Sequence, residues 1–517
     1  MKKIIALLTT TTLLILTLPV GVYADPEPST QNGTETKNEA APQTDEAVSD
    51  NSNLKDNIVT TKHQAVIQGK SLSYTTDAGT MVLESGGKKC EMFFVSYTLD
   101  GADPSERPVT FAFNGGPGAG SYCIQFGCLG PRKADIDETG YARTLPAKII
   151  DNENSVLDMT DLVFIDPVGT GYSSSVNEDE EEDFLGYNND IRTVGDFIRQ
   201  YINRYKRWGS KKYIAGESYG TTRAVGLCDY LAGKYCLYVN GLMLISSVND
   251  FSAVTGGTGN DLPYALFVPT FAADAWYHGK LSGKYRNMKL EDYLEEVRTF
   301  VEKEYQPALF IGKKLTESDK AELAKKLSGY IGLSEDYILK NNLRIKPDDF
   351  CRELLSDDKL MVGRYDGRIT GPVMSGSLDD GSSDPSSFST DIALTNSYQE
   401  YVTNELNYKT DRPYIPVSPD VYNYWSFSDN NGLISQEDVV RNCMSGNPFL
   451  KVWVLCGYFD GATPFYSAEW VYNHVFLDEG TEKNLRFTHY HSGHMFYTDK
   501  ESFDKFRKDA EAWYKGE

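Results

Sequence analysis

Basic side chains and histidine are both scarce in this chain of 517 residues. Lys and Arg number 51 against 74 Asp and Glu, a net charge of −23. A chain this short of cations lacks the patches that neutralise phosphates, which argues against binding nucleic acid or an anionic membrane surface. The six histidines stand at 63, 278, 474, 489, 491 and 494. No His, Cys and acid cluster has metal-ligand spacing, so neither a metal nor an organic cofactor is expected. The eight cysteines contain no Cys-x-x-Cys pair, the mark of zinc ribbons and redox motifs. Cys123/Cys128 and Cys228/Cys236 are close enough for local bridges, and buried free thiols are the equal alternative. The 40% hydrophobic and 24% charged balance is that of a globular protein; it excludes a coiled coil, a collagen and a multi-pass membrane protein.

The N-terminus reads as a secretory signal over residues 1–24. Lys2 and Lys3 precede an apolar run from Ile4 to Leu18, and Pro19 and Gly21 break it before Val22-Tyr23-Ala24. A retained anchor is the alternative, weakened by the threonine tract Thr9 to Thr12. The expected location is secreted, extracellular or in the cell envelope, with no stable membrane insertion once the signal is removed. Residues 25–57 carry no aromatic residue and few aliphatics. They bury too little to offset their ordering entropy and are expected to be a disordered acidic and polar spacer.

Residues 58–517 read as the folded part. His63–Tyr74 and Cys90–Leu99 have strand character, with turns expected at Asp77-Ala78-Gly79 and Ser85-Gly86-Gly87. Short apolar runs follow at Val109–Phe113, Leu162–Ile165, Lys212–Ala215, Leu242–Ile245 and, much later, Val452–Leu455. Such runs suit strands buried on both faces of a mostly parallel sheet. Asn189–Trp208 carries apolar residues at helical spacing. The alternation predicts an α/β fold, a doubly wound sheet. Residues of about 251–435 interrupt that rhythm with helical patterns and a Gly/Ser/Asp-rich passage, Met374–Ser389. They are expected to be an inserted helical cap over one end of the sheet. The carboxylate run Glu178–Asp183 lacks the spacing of a calcium loop and is expected to be a solvated loop.

Gly216-Glu217-Ser218-Tyr219-Gly220 follows one of these strands and precedes a helical stretch. This is G-x-S-x-G in strand–turn–helix context, where glycines admit the turn that lifts a serine hydroxyl above the sheet. Asn114-Gly115-Gly116-Pro117-Gly118 sits at another strand end. Backbone N–H groups of Gly115 or Gly116, with that of Tyr219, suit an oxyanion hole. The order nucleophile, acid, base then points to Ser218, Asp460 after the strand Val452–Leu455, and His494 after the strand Leu485–His489. His489 and His491 are rival bases and Asp166 a rival acid, the last disfavoured because it precedes Ser218. In that arrangement Ser218 attacks a carbonyl, His494 takes its proton, and Asp460 fixes the imidazole tautomer.

These residues resemble the serine carboxypeptidase family, a branch of the α/β-hydrolases. The resemblance rests on Asn114–Gly118, Asp166–Ser173, Gly216–Tyr219, Gly457–Asp460 and Ser492–Met495, in family order over residues 110 to 500. It implies an α/β-hydrolase catalytic domain, peptide substrates, and hydrolysis of the last peptide bond through an acyl-enzyme. It also implies that Asn114 and Glu217 bind the substrate's terminal carboxylate. Two carboxylates share a hydrogen bond only when one is protonated, so such an enzyme works best in acid. The other reading of Glu217 is a structural carboxylate bonded to loop amides. The chain departs from the family pattern at Ala112, at Ala119-Gly120-Ser121 and at Cys128. The first and last keep open an esterase or acyltransferase with the same triad. A non-catalytic extracellular binding module is the reading from a different class.

Overall fold

The computed structural model describes residues 54–137, 140–373, 384–425, 428–429 and 432–516. The expected signal segment 1–24, most of the expected spacer, and residues 374–383 of the Gly/Ser/Asp-rich passage lie outside the described residues. The chain enters the fold at β1 (Asn57–Ile67), and just before it Asp56 accepts a hydrogen bond from the Val82 N–H and pairs with Arg204.

β1, β2 (Lys70–Ser85) and β3 (Lys88–Leu99) form an antiparallel meander. Its turns have physical causes that the sequence only half announces. Gly86 and Gly87, with φ of 62° and 79°, make the expected second turn. The first is at Gln68-Gly69, with φ of 49° and 71°, the backbone of a two-residue hairpin whose twist matches its strands. Asp77-Ala78-Gly79 is not a turn. It continues the ladder opposite Thr60, Val59 and Ile58, because ladder pairing outweighs the turn tendency of an isolated glycine.

Six strands joined by five parallel pairings complete the main sheet, with β5 in antiparallel contact with β3. They are β4 (Val109–Phe113), β5 (Asp161–Ile165), β6 (Lys212–Glu217), β7 (Gly241–Ile245), β8 (Lys451–Gly457) and β9 (Leu485–Tyr490). Their order is β1-β2-β3-β5-β4-β6-β7-β8-β9. Successive side chains supply opposite faces. Phe111, Val163, Ile214, Leu244 and Val454 enter one core, while Ala112, Phe164, Ala215, Met243 and Trp453 enter the other. That is why these runs read as unbroken apolar text: a strand covered on both sides has no polar face to show. On the first face, α1 (Tyr187–Arg204) lays Ile191, Val194, Phe197, Ile198, Tyr201 and Ile202 against the sheet, and α2 (Tyr219–Tyr235) follows β6.

Between β7 and β8 the chain leaves the sheet. It forms α3 (Val268–Tyr277), α4 (Leu290–Phe300), α5 (Glu317–Ile331), α6 (Pro385–Glu400) and α7 (Glu437–Gly446) before β8 pairs with β7. The Gly/Ser/Asp-rich text ends sooner than its composition suggests. Asp384 caps α6 by accepting from the Ser386 N–H, with Pro385 in its first turn. The carboxylate run is a 3-10 helical turn, Glu178–Phe184, rather than an irregular loop. Lys88 holds it through Glu180 at 3.1 Å and Asp183 at 3.0 Å.

Neither suspected cysteine pair is bridged, and all eight cysteines are free thiols. Cys228 is buried in the core from α2, whereas Cys236 is exposed at that helix's end with φ of 50°, so the two side chains diverge. Among the described residues no helix is long and apolar enough to cross a membrane.

Candidate active site

Four loops leave the carboxyl edge of the parallel strands, where a doubly wound sheet presents its ligand crevice. They follow β4, β6, β8 and β9, and carry Asn114–Gly116, Ser218, Asp460 and His494. These loops are far apart in the sequence. Adjacency of the strands brings them together.

Ser218 stands at φ 59° and ψ −129°, a backbone that side chains rarely adopt, in the one-residue step from β6 to α2. The turn is so tight that a Cβ on Gly216 would lie 2.1 Å from the Gly220 carbonyl oxygen. The glycines of the motif are therefore demanded by space. The Tyr219 ring turns away into a small cluster with Val248, Phe251 and Ile434, and its hydroxyl donates to Asp190. Its backbone N sits against the β4 loop: a Cβ on Gly115 would lie 2.5 Å from it. Gly115 and Gly116 line the cavity next to Ser218. Arg223 binds this assembly from behind, donating to Asp190 and to the Asn114 carbonyl at 2.7 Å each.

Asp460 is fully buried, and every hydrogen bond formed by its two oxygens is one it accepts. Oδ1 takes the N–H groups of Ala462 and Thr463, at 2.8 and 2.9 Å. Oδ2 takes the Thr463 hydroxyl at 2.7 Å and His494 Nδ1 at 2.8 Å. The hydroxyl proton is thus spent on the carboxylate, and the proton between Asp460 and the ring must sit on Nδ1. A neutral His494 then carries its lone pair on Nε2. Burial pulls the His494 pKa down, but the charge and hydrogen bond of Asp460, with the charge of Glu217, raise it above 6.5. Thr463 was not singled out by the sequence.

The rival side chains are engaged elsewhere. His489 pairs with Glu469 at 2.8 Å and His491 with Glu291 at 2.7 Å. Asp166 lies behind the glycine loop, where its Oδ1 accepts from the Ser121 N–H at 2.6 Å; burial lifts it to about 7.

Glu217 is buried beside Ser218. Asn114 Nδ2 donates to its Oε1 and the Tyr497 hydroxyl to its Oε2, both at 2.8 Å. Burial pushes its pKa up to about 7, against the pull of His494 and of those two donors. Asn114 is itself held by the Ile124 N–H on its side-chain oxygen. Tyr497 is the residue the motifs missed. Its ring fits because Gly127 leaves room, a Cβ there lying 2.7 Å from Cε2. The thiol of Cys128, one of the departures from the family pattern, is wholly buried nearby and is raised by burial and by the charge of Glu217.

Asn114, Glu217, Ser218 and His494 share one cavity of about 290 Å³. Tyr122, Val417, Pro419, Tyr422 and Met495 make much of its wall apolar. Such a site is equipped to form and cleave an acyl bond on Ser218 beside a protonatable carboxyl. Among the described residues, no three His, Cys, Asp or Glu are arranged to hold a metal ion.

Comparison with known proteins adds the following. Residues 69–226 match a family model described as serine carboxypeptidase. Among solved structures, a prohormone-processing carboxypeptidase from Saccharomyces cerevisiae, Kex1(delta)p, is 16% identical. The match covers 86% of this chain and 91% of that one with a TM-score of 0.54. A proline iminopeptidase from Mycobacterium smegmatis is 13% identical over 84% of this chain and 98% of its own, with a TM-score of 0.36. No curated protein matches the chain. The architecture is that of the α/β-hydrolases.

Proposed function

We propose, from the match of residues 69–226 to a serine carboxypeptidase family model, that the chain is a serine-type peptidase of that family, that it is secreted, and that it releases C-terminal residues from peptides, best at acidic pH. Ser218 Oγ attacks the carbonyl carbon of the last peptide bond while His494 Nε2 takes its proton. Backbone N–H groups of Gly115, Gly116 and Tyr219 receive the negative oxygen. The C–N bond then breaks, His494 hands the proton to the leaving amine, and water repeats the sequence on the acyl-enzyme. Asp460 holds the ring through its hydrogen bond to Nδ1.

The observation that carries the exopeptidase reading is the sharing of one cavity by Ser218, His494 and the buried pair Asn114–Glu217. A protonated Glu217 and the Asn114 amide are suited to receive a terminal carboxylate. The test is mass-spectrometric. The protein without residues 1–24 is incubated with mixed peptides, their C-terminal amides and a simple ester. Stepwise loss from free C-termini is expected, and equal turnover of acid and amide would overturn the claim. One feature favours the esterase or acyltransferase reading: both oxygens of Glu217 already accept hydrogen bonds. Its signature in the same assay is ester turnover with intact peptides. Secretion is tested by comparing the N-terminus of cell-free protein with Asp25.

The pH dependence follows from one shared proton. Glu217 raises His494, and His494 lowers Glu217. The pair therefore titrates jointly, and only protonated Glu217 with neutral His494 is productive. Glu217 ionises as pH rises through about 7, so kcat/KM on free-acid peptides is expected to fall there. Hydrolysis of an ester lacking a free carboxylate is expected not to fall. Glu217→Gln removes the ionisation and is expected to flatten that alkaline limb. A limb that persists in the variant overturns the assignment.

Gly115→Ala probes the oxyanion site. Its Cβ would meet three backbone atoms of the elbow at 2.5 to 2.7 Å, so the β4 loop must move off Tyr219. The expected loss in kcat is about 10²–10³-fold, the scale of one oxyanion donor, read as ester hydrolysis per fluorophosphonate-labelled site.

A further inference from the structure

The acid and base loops meet a third segment of chain. A short hairpin pairs Leu360–Val362 with Thr370–Pro372, and its tip, residues 364–368, lies between them. On the acid side, Gly367 N–H donates to the Phe459 carbonyl at 3.0 Å, and Gly461 N–H donates to the Arg364 carbonyl at 2.8 Å. Those two bonds bracket Asp460. On the base side, the His494 N–H donates to the Tyr365 carbonyl at 2.6 Å, and the Gly493 N–H to Asp366 Oδ2 at 3.2 Å. The Tyr365 ring meets His494 edge-on, with centroids 5.1 Å apart.

Arg368 joins the two sides. Its guanidinium grips Asp366 through Nε and Nη2 at 2.9 and 2.7 Å, the bidentate geometry that fixes orientation as well as charge. It also donates to the His491 carbonyl at 2.7 Å and to Ser492 Oγ at 3.0 Å, and pairs with Asp499 at 3.3 Å. Its centre stands 5.5 Å from the Phe459 ring, the residue before Asp460. The tip is braced from behind by Ser386 Oγ, which accepts from the N–H groups of Tyr365 and Asp366. No other role in the site explains why so many bonds converge on the residues flanking Asp460 and His494.

We propose that the hairpin tip 364–368 is a clamp setting the spacing of the Asp460 and His494 loops, with Arg368 and Asp366 as positioning residues. It rests on the hydrolase reading above. Neither residue touches the reacting atoms; they act by holding the ring in place within the cavity that His494 shares with Ser218. A misplacement of about 1 Å at such a distance from the chemistry costs on the order of 10²-fold.

The test uses the whole protein and a small ester whose binding needs no terminal carboxylate. Arg368→Ala is expected to lose about 10²-fold in kcat per fluorophosphonate-titrated site, with KM within twofold. Millimolar guanidinium is expected to restore at least a tenfold share, because it refills the vacated position between the loops. Arg368→Lys keeps the charge but not the paired hydrogen bonds and is expected to fall in between. Unchanged kcat per titrated site in both variants overturns the clamp. So does a loss carried by KM, or one that matches the loss of titratable sites and ignores guanidinium, which is the mark of impaired folding. A wild-type protein that neither turns over ester nor takes the label overturns the hydrolase reading itself, and the clamp with it.

Discussion

Ser218→Ala is expected to lower kcat by roughly 10⁶-fold, the scale of losing the nucleophile of a serine hydrolase. KM and the thermal midpoint are expected to stay near wild type. The hydroxyl is one atom at the edge of a cavity, and the turn beneath it is set by Gly216, Gly220 and the start of α2. Alanine must adopt the same φ of 59° that serine now occupies, at similar strain. The second half of the expectation is more informative. His494→Ala on the Ser218→Ala background is expected to cost almost nothing further. Ser218 and His494 act as a unit, so the second loss removes a base with nothing left to deprotonate. Steady-state kinetics on an ester substrate, normalised to total folded protein because both variants lack the serine that a fluorophosphonate labels, measures both. An additive second loss would mean that His494 works in some step apart from Ser218.

Asp460→Asn is expected to cost about 10⁴-fold in kcat with little change in fold. The reason lies in which oxygen faces what. Oδ1 accepts two backbone N–H groups, from Ala462 and Thr463. In the variant the amide oxygen must take that place, since an NH2 there would confront two donors. The NH2 is then forced into the position of Oδ2, facing His494 Nδ1. A donor at that point makes Nδ1 the acceptor and moves the ring proton to Nε2, the atom that must accept from Ser218. Asn therefore installs the wrong tautomer. Asp460→Ala leaves the ring free to choose and is expected to retain more activity than Asn. Kinetics of the two variants, with imidazole nitrogen shifts to report the tautomer, tests the argument. Equal activities for Asn and Ala would sink it.

Much of the frame was legible because its causes are local. Strands buried on both faces must be apolar throughout, and β4 to β8 read that way. A serine forced into a one-residue strand-to-helix step needs Gly at both sides, and the chain spells it out in Gly216 and Gly220. The first hairpin escaped because Gln68-Gly69 is a modest turn signal beside Asp77-Ala78-Gly79, and only ladder pairing decides between them. The cysteine pairs stayed open between bridge and free thiol for a similar reason. Sequence spacing says nothing about the direction of a side chain, and Cys228 and Cys236 part at the end of α2.

The chemistry around the central residues was the part that no local pattern carried. Tyr497 reaches Glu217 across 280 positions of sequence, and Arg368 reaches the His491 carbonyl across 123. Thr463 settles the proton of His494 from a different loop. Each is an ordinary polar residue in its own neighbourhood, and becomes specific only when strand order lays four separate loops at one edge. By itself the sequence determined the sheet, the elbow and the candidates Ser218, Asp460 and His494, because steric demands on backbone and burial act within a few residues. Which donor each carboxylate meets, and so which protons are available near pH 7, was decided by tertiary structure alone. Hydrogen bonds and charges act across a few ångströms of space, whatever length of chain lies between.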